Sequence, residues 1–234
     1  MNDSAVQQVI QGQTTPSLAM LRTLGLVAAL SGFLVVLVYQ ITLPMIEENK
    51  RIAIERAVFK VVPGAVSRRD FIVSENGIAA AGGEGATDGT KIYAGYDAEG
   101  KLAGIALEAA AQGYQDVIRI LYGYEPACQC IRGINVLKMA ETPGIGDKIA
   151  KDPKFLENFE ALDARLDAAG SVLENSIVSV KSGTKTEPWQ IDAISGATIS
   201  SKAVARMLNE SAQAVLPTIS AHLDRLESPE QQAQ

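Results

Sequence analysis

The chain is poor in the residues from which most self-sufficient active sites are built. Its 234 residues include one histidine, one tryptophan and two cysteines, and aromatic side chains make up 5%. The lone histidine, His222, lies near the C-terminus. A Ser-His-Asp triad or a histidine-based zinc site needs imidazole in the body of a domain, so both are excluded. Cys128 and Cys130 fall short of the four ligands an iron–sulfur cluster requires. Basic side chains number 21 against 27 acidic ones, for a net charge of −6, and nucleic acid finds no electrostatic footprint here. Chemistry, if the chain takes part in it, belongs to a borrowed cofactor.

Charge is also missing from one long run. Leu24 to Leu43, LGLVAALSGFLVVLVYQITL, is twenty residues without a charge. At ~1.5 Å per residue such a helix spans about 30 Å, the thickness of a bilayer's hydrocarbon core. The run is longer than the ~7–15 residue apolar region of a signal peptide, and no A-x-A-like cleavage site follows it. A retained single-pass anchor is the expectation. Its orientation does not follow from charge. Arg22 stands before it, while Lys50, Arg51, Arg56 and Lys60 follow, mixed with Glu47, Glu48 and Glu55, and long domains translocate largely regardless of such counts.

The remaining pattern predicts an α+β fold: a transmembrane helix, then one domain with a twisted, mostly antiparallel sheet and packed helices. The expected division is an N-terminal segment 1–22, a membrane helix 23–44, a helical stalk 45–64 stopped by Pro63-Gly64, a domain 65–216, and a partly disordered tail 217–234. KIYAGYDAEGKLAGIALEA reads as a hairpin around Asp97–Gly100, and VIRILYGY, IRGINVLKMAE and SIVSVKSG read as further strands. PKFLENFEALDARLDAA carries Phe155, Leu156, Phe159, Leu162 and Leu166 at helical spacing. In the closing helix, Val204, Met207, Leu208, Ser211 and Val215 form one stripe.

The stretch DAISGATISSKAV, residues 192–204, crowds Ser195, Thr198, Ser200 and Ser201 behind Asp192. One reading is ordinary capping, in which Ser195 or Ser200 satisfies the orphan amides of the following helix. A second starts from the same geometry. A glycine turn entering a helix points several N–H donors and the positive dipole end at one spot, which suits a phosphate. A threonine hydroxyl held beside that phosphorus is a candidate acceptor for a phosphoryl group, with Asp192 placed to orient it or hold a metal ion. The residue pattern does not choose among the hydroxyls.

DAISGATISS resembles the flavinylation signal of the FMN-binding domain family, D-x-x-[ST]-G-A-[ST]-x-[ST], and ETPGIGDKI (Glu141–Ile149) resembles a second segment of that family. Two motifs in this order behind one anchor are similar to the G subunits of Rnf-type electron-transport complexes. The C subunits of sodium-pumping NADH:quinone reductases (the NqrC type) are the alternative. The resemblance implies an FMN-binding domain at residues 65–216, with FMN joined to Thr198 through a phosphoester. Asp192, Ser195, Gly196 and Ala197 would then be recognition elements for a flavin transferase that uses FAD and releases AMP. The Glu141–Gly146 loop, with Glu141, Thr142 and Gly144, would approach the flavin, its glycines letting backbone come close to a flat ring, unless it is a plain Pro-Gly turn. Trp189 would stack near the ring or pack in the core.

The resemblance further implies a redox subunit that is not catalytic alone, partnered by other membrane subunits linking NADH and ferredoxin to ion movement. It places the domain in the periplasm, beyond a bacterial inner membrane. A tethered scaffold domain without flavin, or a flavin reductase acting on a soluble substrate, are the competing classes. The histidine that often precedes E-T-P-G in relatives is replaced here by the run Lys138, Met139, Ala140. Cys128 and Cys130 lie outside the family pattern, and thiols, a disulfide and shared metal ligation all stay open for them. The anchor itself is directly testable: the full chain is expected to resist extraction from membranes by alkaline carbonate, and deletion of residues 1–44 to release it.

Overall fold

The computed structural model describes residues 17–74, 77–81 and 89–227. Most of the expected N-terminal segment, residues 1–16, and the end of the expected tail, residues 228–234, lie outside them. The chain divides between Arg51 and Ile52 into two compact units. The first is helical from Ser17, within helix α1 (Ser17–Val61), and its apolar side chains, among them Leu24, Phe33, Val35 and Ile41, are exposed. α1 is long and apolar enough to cross a membrane, and none of its most hydropathic window is buried in the protein. No other described helix meets that standard.

The second unit is built on a seven-stranded antiparallel sheet in the order β2-β1-β3-β4-β5-β6-β7. The strands are β1 (Ser67–Ser74), β2 (Gly77–Ala80), β3 (Thr90–Tyr96), β4 (Leu102–Gln112), β5 (Val117–Glu125), β6 (Cys130–Lys138) and β7 (Leu162–Asp163). A small parallel pair, β8 (Val178–Val180) and β9 (Gln190–Asp192), lies apart from it. Helix α2 (Pro153–Leu156) is a single turn, α3 (Thr198–Ala221) is the main packed helix, and α4 (Leu223–Glu227) follows it.

Side chains alternate across a strand, so a sheet covered on both faces needs apolar residues at both parities. β3, β4 and β5 meet that demand. Ile92, Ala94, Ile105, Leu107, Ile120 and Tyr122 face the larger core, shared with Val204, Met207, Leu208, Val215 and Leu216 of α3. Tyr93, Ala106 and Leu121 point the other way and pack against Ala57, Val58, Val61 and Val62. The last turns expected as a stalk are therefore core material of this unit.

That second layer sits close because of glycine. Gly95 opposes Gly104 in the register, Gly123 opposes Gly133, and together they cross four neighbouring strands. A Cβ on Gly123 would lie 1.8 Å from the Val61 carbonyl oxygen, and one on Gly104 would lie 3.0 Å from Val62.

Two sequence expectations change. The segment 153–169 is not one helix. α2 and a 3-10 turn at Glu157–Phe159 bury Phe155 and Phe159 edge to face at 5.3 Å, and the chain then extends. Leu162 and Asp163 pair with Ile131 and Cys130 as the sheet's edge, so hydrogen bonding to β6 overrides the helical spacing. The expected tail is also ordered as far as residue 227. α3 runs through Pro217 with Leu216 and Ile219 buried, and Tyr96 donates its hydroxyl to the Leu226 carbonyl at 2.8 Å. Burial of that apolar stripe outweighs the hydrogen bond that proline forfeits.

Gly123→Ala is expected to cost at least about 1–3 kcal/mol, because its methyl meets backbone rather than a movable side chain. Gly133→Ala, whose Cβ would have nothing closer than 3.6 Å, is expected to stay within about 0.5 kcal/mol. Urea denaturation midpoints of the two variants check this.

Candidate functional site

Three segments meet at one end of the sheet: the turn 113–116 between β4 and β5, the loop 139–147 after β6, and the start of α3. Arg206 of α3 donates to the Gln112 carbonyl at 3.1 Å, which ties the helix to the end of β4.

Glu141 joins all three. It is 5% exposed. Its Oε1 accepts from the Gln115 amide at 3.2 Å, and its Oε2 accepts a short hydrogen bond from the Ser200 hydroxyl. Space for that carboxyl group exists only because Gly113 and Gly146 flank it: a Cβ on either would come within 2.5 Å or 2.8 Å of a Glu141 oxygen. Beside it, Gln115 donates through Nε2 to Thr142 Oγ1 at 3.0 Å. The Thr142 carbonyl accepts from the amides of Ile145 and Gly146, closing the loop. Gly144 sits at φ +76° and donates its amide to Asp147 Oδ1 at 2.7 Å. This is more than a passive Pro-Gly turn, since its side chains are bonded to two other segments.

The four hydroxyls of the glycine turn divide into two pairs. Ser201 is fully buried; its Oγ donates to the Ala197 carbonyl at 2.9 Å and accepts from the Ile194 amide at 3.1 Å. Ser200 is buried and given to Glu141. Ser195 and Thr198 are exposed, and neither hydrogen-bonds to a described residue. The residue capping α3 is Ala197, which offers no side-chain acceptor. No hydroxyl performs the ordinary capping role, and the first-turn amides are left for an outside acceptor.

A cavity of about 590 Å³ opens at this junction, lined by Tyr114, Glu141, Thr142, Ile145, Gly146 and residues 196–200. That volume suits a cofactor-sized ligand. Tyr114, Ile145 and Ile199 are more than half or about half exposed and present apolar surface suited to a flat ring. The helix start beside them suits a phosphate. The arrangement therefore fits FMN, with Thr198 alone among the four hydroxyls both exposed and in the cavity wall.

Of the residues singled out from sequence, Glu141, Thr142, Gly196, Ala197 and Thr198 line the cavity, and Gly144 shapes its loop. Asp192, Ser195 and Trp189 fall outside the lining. Asp192 Oδ1 accepts from the amides of Gly183 at 2.7 Å and Thr184 at 3.3 Å, so it orders the turn before β9 rather than reaching Thr198. Its backbone is clasped by Asn158 through N–H···Oδ1 at 2.9 Å, and Lys185 donates to the same oxygen at 3.2 Å. Partial burial pulls the Lys185 ammonium below its usual range, opposed by the Asp192 charge. Trp189 is half-buried, and its carbonyl accepts from the Val178 amide.

Sequence reasoning missed Tyr114, Gln115, Ile199 and the Glu141–Ser200 contact, whereas Ile145 and Gly146 lie in the Glu141–Gly146 loop expected at the site. The available signal was the G-Y-Q-D turn between two strands, a large aromatic beside a glycine. Cys128 and Cys130, at the far turn of the β5–β6 hairpin, form a disulfide. With the sulfurs bonded to each other, the cluster they make with Glu125 has no thiolate to offer a metal ion.

One helix long and apolar enough to cross a membrane, then an antiparallel sheet domain with a helix start beside a cofactor-sized cavity, define a domain able to hold a phosphate-bearing cofactor. Residues 113–213 match the FMN-binding domain family. The chain is also similar to the G subunit of an ion-translocating oxidoreductase complex from Methanosarcina acetivorans, at 37% identity over half of this chain and 54% of that protein. The G subunit of the proton-translocating ferredoxin:NAD(+) oxidoreductase complex of Clostridium ljungdahlii matches at 26% identity over 84% of this chain and 90% of that protein. The crystal structure of Shewanella oneidensis NqrC shares the fold, with a TM-score of 0.57 at 19% identity over 77% of this chain and 99% of that one. The first of these matches spans about half the length of its relative.

Ser200→Ala leaves one oxygen of a buried carboxyl group without its partner and is expected to cost about 1–3 kcal/mol. Thermal unfolding of the variant beside Ser195→Ala, expected to be neutral, checks this. Asp147 gives a pH readout. The Lys151 ammonium, and then the Gly144 amide, hold its carboxyl below the usual aspartate value. Because the folded carboxyl titrates below the unfolded one, its support of the loop is complete above about pH 4 and is lost as pH falls through the folded value. The amide resonance of Gly144 is expected to titrate with a midpoint below about 3.9, and not at all in Asp147→Asn.

Proposed function

We propose that this chain is the FMN-carrying electron-transfer subunit of an Rnf-type ion-translocating oxidoreductase complex, with the flavin phosphate esterified to Thr198. The observation that carries the reading is the division of the hydroxyls: Ser200 and Ser201 are bonded to the protein, Ser195 lies outside the cavity, and Thr198 faces it at the helix start. In the attachment step a flavin transferase brings FAD. Thr198 would supply the hydroxyl oxygen that takes the FMN phosphate, with AMP as the leaving group and the hydroxyl proton passing to the transferase.

The bound flavin supplies the electron-carrying chemistry; the chain's own residues hold it. The first-turn amides of α3 would receive the phosphate oxygens, and Gly196 at φ +87° would let the turn clear that group. Tyr114, Ile145 and Ile199 would offer apolar surface to the ring system. Glu141 keeps the two motif loops in register through Ser200 and the Gln115 amide.

α1 is the anchor in this reading, with the domain on the periplasmic side of a bacterial inner membrane. The disulfide supports that side, since such bonds persist in oxidising compartments. A covalent link is also what a redox group needs where no free FMN pool could replace it. The partners are the other membrane subunits of the complex, in line with the subunit names of the relatives.

Intact-mass measurement after expression with a flavin transferase tests the assignment. One FMN adduct is expected on the full chain, retained in Ser195→Ala and lost in Thr198→Val, with in-gel fluorescence following the mass. An adduct that survives Thr198→Val, or a chain of calculated mass alone, overturns it.

A further inference from the structure

We infer that the Cys128–Cys130 disulfide is a thiol–disulfide exchange site that accepts electrons from a dithiol-bearing protein.

A disulfide that staples a fold closes a long loop, and its stabilising effect grows with the length closed. This one closes a single intervening residue. The turn that holds it is also fixed without it. Glu125 and Cys130 pair as the last register of the β5–β6 hairpin, the Gln129 amide donates to the Pro126 carbonyl at 3.3 Å, and the Gln129 carbonyl accepts from the Ala164 amide at 3.1 Å. The bond therefore adds little to the structure around it.

The intervening residue is unusual. Gln129 has φ +50°, the one non-glycine residue at positive φ among the described residues. A side chain in that region carries a conformational cost that persists only where its surroundings enforce it, and such sites gather where function needs them. The two sulfurs also differ in access: Cys128 is exposed on the turn, whereas Cys130 is buried at 5% exposure. An incoming thiolate thus has one sulfur to attack and one to displace.

Beside the turn lies a recess of about 560 Å³, walled by Lys101, Leu102, Glu125, Pro126, Ala127 and Arg132. The site stands apart from the flavin cavity. β5 separates them, and nine residues of strand extend about 30 Å at ~3.3 Å each.

The reaction balances without a further reagent. The partner's first thiolate bonds to Cys128 Sγ, the S–S bond breaks, and Cys130 leaves as a thiolate and takes a proton. The partner's second thiolate attacks its own bonded sulfur and releases Cys128, which is also protonated. The chain gains two electrons and two protons as a dithiol, and the partner loses them as a disulfide.

The test uses the full chain in detergent, held without denaturant in graded reduced and oxidised glutathione, then quenched with maleimide and weighed intact. Both cysteines are expected to become labelled together within that series, with the thermal midpoint unchanged, because stapling disulfides resist the glutathione pool. A pair that opens only in denaturant, or whose opening lowers the thermal midpoint, overturns the proposal. Single variants provide the second measurement. Cys130→Ser, its exposed thiol first converted to the mixed disulfide with thionitrobenzoate, is expected to be attacked by a C-x-x-C protein lacking its resolving cysteine, with release of thionitrobenzoate and formation of the protein–protein disulfide, about tenfold faster than Cys128→Ser treated alike. Equal rates, or no adduct, also overturn it. None of these readouts depends on flavin.

Discussion

The site depends on one buried carboxyl group. Glu141 lies between a backbone amide of the β4–β5 turn and a side-chain hydroxyl of α3, so three segments distant in the chain share one hydrogen-bonded centre. A buried group with two oxygens must find donors for them, and the segments that supply those donors are held together by the cost of leaving either unpaired. Small residues at Gly113 and Gly146 make room for it. The cavity is the space left over on the outer side of this junction, and its walls are set by Glu141 before any ligand arrives.

The platform under the junction is rigid for a related reason. The central strands are apolar at both parities, and the glycines crossing them let the end of α1 and the turn after it press onto the sheet. With α3 on the opposite face, β4 and β5 are fixed from both sides. The turn that joins them, bearing Tyr114 and Gln115, therefore projects from the best-packed part of the domain. A flavin held there would keep a constant distance and orientation to its redox partners, which is what electron transfer through a carrier subunit requires.

Much of the fold was legible from pattern. The long uncharged run, the hairpin around Asp97–Gly100, the strands VIRILYGY and IRGINVLKMAE and the apolar stripe of α3 all correspond to observed elements. The errors fell where tertiary contacts outweigh local preference. Leu162 had helical spacing and was taken by the sheet edge, and residues 217–227, expected within a partly disordered tail, continue in helix where Ile219 and Leu226 are buried. The Cys-x-Cys pair was open among three chemistries, since spacing fixes the reach of two sulfurs but not whether they bond.

The sequence by itself determined that a cofactor must supply any redox chemistry, that one helix can span a bilayer, and that DAISGATISS and ETPGIGDKI are the segments to watch. Residue types and their spacing carry that information without reference to distance. Which hydroxyl of the turn is available was decided only by the tertiary structure. Four similar oxygens within seven residues are equivalent on paper. Folding turns Ser200 toward Glu141, Ser201 toward the Ala197 carbonyl and Ser195 out of the cavity, and leaves Thr198 at the helix start. Burial and hydrogen bonding consume some polar groups and spare others, and that selection depends on partners that come from elsewhere in the chain.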